Sequence, residues 1–259
     1  MIGIFDSGLG GLTAYKELHN LLPAGDFVYF GDTGRVPYGS RSREILTRYA
    51  RQDIRFLLRQ GADVILAACG TVSSVVLDDI RSEFSIPLFG VVDASVNAAL
   101  AATKNEKIGV IGTGATISSG AFAKKIAAAN PHAAVTSIAC PLFVPLVENG
   151  YIGRGCTVTR EVAADYLAPL RDEGIDTLIL GCTHFPIIAD IIGDLLPGVT
   201  LVNSGAAAAA EVAAVCGKTG GGGSASFFVS DSPVNFDTVA RVFLGGETIC
   251  AQKVDIEAY

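Results

Sequence analysis

The sequence predicts an α/β protein made of two similar domains with mostly parallel sheets, pseudo-twofold related, with a candidate site in the cleft between them. Three observations carry that expectation. Short apolar runs alternate with longer amphipathic ones, as in βαβ units. The short runs are apolar almost throughout, as in strands buried on both faces. The chain also repeats itself at a nearly constant offset.

Strand-like runs fall at Met1–Phe5, Asp26–Gly31, Val64–Ala68, Pro87–Val92, Lys107–Gly112, Val135–Ala139, Thr177–Gly181 and Val199–Val202. Helix-like stretches lie between them, among them Ser42–Gln60, Ser119–Ala129, Val158–Arg171 and Ala206–Val215. The last contains AAAAAEVAA, a strong helix former that reads as a packed helix. GIFDSG at Gly3–Gly8 resembles GVIGTG at Gly109–Gly114. ADVILAACGT at Ala62–Thr71 resembles IDTLILGCTH at Ile175–His184, and PLFGVVDAS at Pro87–Ser95 loosely resembles GVTLVNSGA at Gly198–Ala206. Three pairs in one order imply two related halves. The expected domains are residues 1–97 plus 207–259, and residues 98–206. Phe227–Tyr259 then returns to the first half, and GKTGGGGS at Gly217–Ser224 reads as a flexible surface loop.

Composition narrows the function. Of 259 residues half are apolar and 17% charged, which excludes a disordered chain. Nineteen basic against 26 acidic residues give a net charge of −7. That balance argues against nucleic-acid and membrane partners and leaves a small charged metabolite. No apolar run approaches a membrane span, and MIGIFDSGLGG lacks the basic and apolar segments of a signal peptide, so a cytoplasmic protein is expected. The six cysteines form no CxxC pair, and the three histidines are scattered. Neither a disulfide framework nor a His-rich metal site is expected. Gly217-Lys218-Thr219 lacks the spacing of a phosphate-binding loop, and FDSGLGGLT misses the dinucleotide fingerprint.

In parallel sheets ligands bind beyond the carboxyl ends of the strands. Residues with chemistry cluster there: Asp6 and Ser7, Asp32 and Thr33, Cys69 and Thr71, Asp93, Thr113, and Cys182, Thr183 and His184. Cys69 and Cys182 occupy matching strand ends, each followed closely by Thr. Two thiols entering one cleft from opposite sides suit racemisation, in which one removes a Cα proton and the other donates to the opposite face. A thiol titrates near enough to neutrality to serve in both forms. Helix N-termini after the two strands are expected to lower the thiol pKa and to receive a substrate carboxylate. His184 is a proton partner for Cys182. Cys140, Cys156, Cys216 and Cys250 have no such match and read as small buried residues.

The motifs IGIFDSGLGGLT, YFGDTGRVPYGSRS, the AC-x-T stretch at Ala68–Thr71, GVIGTGATISSGAF, CPLFVPLVENG and LILGCTHFP run from residue 2 to about 190. Through them the chain resembles the glutamate racemases of the cofactor-independent aspartate/glutamate racemase superfamily. The resemblance implies interconversion of L- and D-glutamate, supply of D-glutamate for peptidoglycan, no cofactor or metal, and a homodimer. It implies that Cys69 serves the D-glutamate face and Cys182 the L-glutamate face, with Asp6, Glu148 and His184 assisting proton transfer. Asp6, Ser7, Tyr38, Gly39, Gly70, Thr71, Thr116, Thr183 and His184 would then hold the substrate. One position departs from the pattern: the family usually has Asn where this chain has Gly70. A side-chain hydrogen bond worth ~1.5–3 kcal/mol is lost there, while the backbone N–H remains. The alternatives are an aspartate racemase, another racemase of the superfamily, or a non-catalytic amino-acid-binding protein on the same scaffold.

Overall fold

The computed structural model describes residues 1–217 and 221–259. Among the described residues ten strands form two fully parallel sheets. The first holds β1 (Ile2–Asp6), β2 (Phe27–Gly31), β3 (Val64–Ala67), β4 (Leu88–Gly90), β9 (Ala225–Val229) and β10 (Ala251–Lys253), in the order β10-β9-β2-β1-β3-β4. The second holds β5 (Lys107–Gly112), β6 (Ala134–Ala139), β7 (Thr177–Leu180) and β8 (Thr200–Asn203), in the order β6-β5-β7-β8. The order β2-β1-β3-β4 in the first sheet is repeated by β6-β5-β7-β8 in the second. The segments that resemble each other in sequence therefore take equivalent places, β1 with β5, β3 with β7 and β4 with β8.

Burial explains the strand composition. All five residues of β1 and all five of β2 are buried, and so are all four of β7. Helices cover both faces, so no polar alternation is needed. Gly3 in β1 is required by packing, since a Cβ there would lie 2.9 Å from the Ala62 Cβ. The eight strands expected from the sequence are all present, with ends shifted by a residue or two. The helix expected at Ser42–Gln60 spans Arg43–Arg59, with the Ser42 side chain accepting from the Ile45 N–H.

Helices Val91–Ala102 and Ser204–Cys216 connect the two sheets, and the expected boundaries at 97/98 and 206/207 fall inside them. The second is rich in Ala and capped by the Asn203 side chain, which accepts from Gly205 N–H at 3.0 Å and Ala206 N–H at 3.2 Å. Its small side chains let it lie tightly on helix Leu12–Leu21, where a Cβ at Gly205 would stand 3.2 Å from the Ala14 Cβ. Beyond it, β9 pairs with β2 and β10 with β9, so the chain's last segment widens the first sheet. Of the loop expected to be flexible at Gly217–Ser224, residues 218–220 lie outside the described residues. The adjoining part is pinned: Gly222 and Ser224 both donate backbone N–H to the Asp26 carboxylate, at 3.1 and 3.0 Å.

The returning segment is anchored by aromatic packing. Phe56, fully buried on helix Arg43–Arg59, meets Phe30 at 5.0 Å, Phe228 at 5.3 Å and Tyr259 at 5.2 Å between ring centroids. One side chain thus ties β2, β9 and the C-terminus together. Phe56→Ala is expected to lower stability by about 3–5 kcal/mol, read by urea unfolding, because it opens a void at that junction. A loss below ~1 kcal/mol would show that the segment is held elsewhere.

Candidate active site

The carboxyl ends of the two sheets enclose a cavity of about 490 Å³. From the first half it is lined by Ser7 and Gly8 after β1, by the Val36–Ser40 loop after β2, and by Cys69, Gly70 and Thr71 after β3. From the second half come Thr113 and Gly114 after β5, Cys140 and Pro141 after β6, Val144, Pro145 and Glu148 on the next helix, and Gly181–His184 after β7. Both matched cysteines are therefore in one cavity, contributed by equivalent strands of opposite halves. The halves touch beside it: Thr71 Oγ1 lies 3.0 Å from Thr113 Oγ1, and Thr13 Oγ1 donates to the Thr183 carbonyl at 3.1 Å.

The two thiols sit in different electrostatic surroundings. Cys69 donates to Ser7 Oγ at 3.7 Å. Burial, and then the nearby Asp6 carboxyl, push its thiol up to about 12. This corrects the expectation of a lowered thiol pKa, since the Val72 N–H and the Ser7 hydroxyl favour the thiolate but do not outweigh burial. Cys182 lies 3.9 Å from His184 Nδ1, and His184 Nε2 donates to Glu148 Oε1 at 2.9 Å. Burial is the largest influence on His184 and opposes its charge, yet the hydrogen bonds to Cys182 and Glu148 prevail and raise it to about 10. At neutral pH the Cys69 thiol keeps its proton, and Cys182 faces an imidazolium. No α-helix follows Cys182 directly; the 3-10 turn Phe185–Ile188 does.

Comparison with known proteins shows the family. The Asp/Glu/hydantoin racemase model matches residues 28–212. A glutamate racemase of Geobacter metallireducens is 42% identical over 264 residues, covering 99% of this chain and 97% of the relative. The chain belongs to the Asp/Glu/hydantoin racemase family. It is thereby an isomerase. The crystal structure of a Francisella tularensis glutamate racemase in complex with D-glutamate has a TM-score of 0.91 at 37% identity, covering 100% of this chain and 98% of that one. A Bacillus anthracis glutamate racemase isoform has a TM-score of 0.93 at 34% identity, covering 98% of this chain and 97% of that one.

Not every racemase site residue expected from the sequence reaches the cavity. Asp6 is fully buried behind Ser7, where Oδ2 accepts from the Gly8 N–H at 2.9 Å, and burial raises its pKa. Thr116 is also buried behind the wall; its hydroxyl pairs with Thr113 Oγ1 at 3.0 Å, and Thr113 takes the place at the surface. Tyr38 and Gly39 do line the cavity, but the Tyr38 hydroxyl is spent in the protein. It donates to Asp32 and to Asp53 Oδ2, the latter at 3.1 Å. Arg35 binds the same two carboxylates, Asp32 at 2.6 Å and Asp53 at 3.0 Å. Burial and the neighbouring Asp32 hold Asp53 well above the usual carboxylate range. Asp32 is thus a structural anchor for the loop carrying Tyr38. Asp93 pairs with Lys125 at 2.5 Å, away from the cavity.

Residues the sequence reading passed over are Cys140, Val36, Pro37, Val144 and Pro145. Cys140 follows β6 and obeys the same strand-end rule as the matched pair, but no repeat partner marked it. The apolar loop residues carry no local signal. Among the described residues no group of three or more His, Cys, Asp and Glu could hold a metal ion, and no helix is long and apolar enough to cross a membrane.

Two measurements check this arrangement. With three histidines in the chain, His184 can be followed by NMR. Its ring is expected to titrate near 10 rather than 6.5, and Glu148→Gln is expected to lower that midpoint. The shift stabilises the folded state fully below pH ~6.5, and this contribution disappears as pH rises through about 10. Tyr38→Phe leaves two buried carboxyl groups short of a donor, and a loss of about 1–3 kcal/mol in urea unfolding is expected.

Proposed function

We propose that the chain interconverts L- and D-glutamate without a cofactor, using Cys69 and Cys182 as paired acid and base. The observation that carries this reading is that both cysteines line one cavity, each from a different half and each at the end of an equivalent strand. The curated relatives and solved structures that resemble the chain over nearly its whole length are glutamate racemases, which supports glutamate as the substrate.

In the L-to-D direction Cys182 as thiolate takes the Cα proton, leaving a carbanion. Cys69 as thiol delivers its own proton to the opposite face. The next turnover begins from the reversed charge state, or after proton exchange with solvent. The resting state favours this assignment, because Cys69 is held protonated and Cys182 lies beside the His184–Glu148 pair. Glu148 and His184 orient and exchange that proton. Asp6 acts from behind Ser7, through its effect on Cys69. Ser7, Gly39, Gly70, Thr71 and Thr183 line the cavity and hold the substrate. Tyr38 contributes its backbone and ring, and Thr116 acts through Thr113. The family resemblance adds the expectations of a cytoplasmic homodimer and of D-glutamate supply for peptidoglycan.

The test is proton NMR with L-glutamate in D2O, followed by chiral analysis. Loss of the Cα proton with appearance of D-glutamate is expected. Exchange with aspartate alone would move the assignment to an aspartate racemase, and tight binding without exchange would mark a binding protein. Cys69→Ala and Cys182→Ala are each expected to cut racemisation by about 10²–10⁴-fold, the usual worth of a positioned acid or base. Full activity in either variant would overturn the two-thiol mechanism.

A further inference from the structure

Gly70 stands between the two halves at the point where the thiol-bearing loops meet. It is the first residue of helix Gly70–Val75, with Cys69 just before it. Its φ is not in the left-handed region, so its backbone would accept any residue. What excludes a side chain is the other half. A Cβ at 70 would overlap the Gly181 carbonyl oxygen, with the carbonyl carbon at 3.3 Å and the Cys182 Cα at 3.8 Å. The loops of Cys69 and Cys182 are therefore in backbone contact, one residue from each thiol.

The second half is held at this point. The Gly181 N–H is bonded to the Ile111 carbonyl at 2.8 Å. A Cβ on Gly181 would itself stand 2.8 Å from that oxygen and 3.2 Å from Phe122. Gly181 is thus packed closely against β5. A side chain at 70 would press the halves apart, which would also stretch the Thr71–Thr113 hydrogen bond beside it. Two other first-half glycines sit on the same seam: a Cβ at Gly39 would lie 3.1 Å from Thr113 Cβ, and one at Gly10 would lie 2.6 Å from His184 Nδ1 and overlap Thr183 Oγ1.

We propose that Gly70 is a positioning residue that sets the spacing of the two thiols, its missing side chain permitting the closed contact with Gly181. This rests on the racemase reading of the same cavity. It also recasts the departure at this position: Gly70 is an element of closure, and restoring Asn there would wedge the cleft open.

The experiment compares wild type with Gly70→Ala and Gly70→Asn. Steady-state kinetics with glutamate are paired with iodoacetamide alkylation of Cys69 and Cys182 in the absence of substrate, read by mass spectrometry. Both variants are expected to lose about tenfold to a hundredfold in kcat, the scale of an ångström-sized misplacement. KM should change far less, and both cysteines should alkylate faster in protein whose circular dichroism is unchanged. Unaltered alkylation and kcat in Gly70→Ala, or an Asn variant as active as wild type, would overturn the proposal. If neither variant folds, Thr113→Val removes the neighbouring inter-half bond and must also speed alkylation for the proposal to stand. Absence of racemisation by wild type would defeat the racemase reading, whereas unchanged alkylation defeats the closure role alone.

Discussion

Everything at this site depends on strand polarity. In a parallel sheet all carboxyl ends lie on one edge, and the chain places two such edges face to face. Each edge delivers one cysteine, after β3 and after β7. A reaction that needs groups on both faces of one carbon is served by two sheets of the same strand order meeting in this way. The contact between Gly70 and Gly181 is among the tightest in that meeting, and it lies beside both thiols.

Symmetry of the backbone does not extend to electrostatics. Cys69 is buried beside an acid that is itself buried, so its proton is held. Cys182 has a histidine two residues on, and that histidine is bonded to Glu148. The asymmetry comes from what surrounds the strands, since the strand ends match. For the proposed reaction it assigns a starting direction without requiring different catalytic groups.

The last part of the chain supports the site from a distance. The Ser230 hydroxyl, at the end of β9, donates to Asp32 at 2.7 Å, and Glu257 meets Arg35 at 3.2 Å. Asp32 and Arg35 belong to the cluster that holds the Tyr38 loop against the cavity. Buried charges of this kind are tolerated only as a fully paired network. Here the shared guanidinium and the Tyr38 hydroxyl join β2, helix Arg43–Arg59 and the C-terminus in one arrangement.

By itself the sequence determined the fold class, the eight strands of the repeated unit and the two matched cysteines, because apolar runs, turn residues and repetition are local signals. The strand-end rule also reached Ser7, Thr71, Thr183 and His184 at the cavity, and the resemblance of its motifs gave Glu148 a role and added Gly39. Tertiary structure alone decided the rest. β9 and β10 are short, and β10 carries polar residues, so their pairing depended on the open edge of β2. Asp6 and Thr116 turned away from the cavity to near neighbours, Gly8 and Thr113, and the Tyr38 hydroxyl turned to Asp32 and Asp53, because buried polar groups take the partners that the assembled fold leaves beside them. The thiol pKa of Cys69 went up because burial outweighed the local backbone, and burial is a property of the assembled halves. The closeness of Gly70 to Gly181 is of the same kind: a missing side chain acquires meaning only from what packs against it.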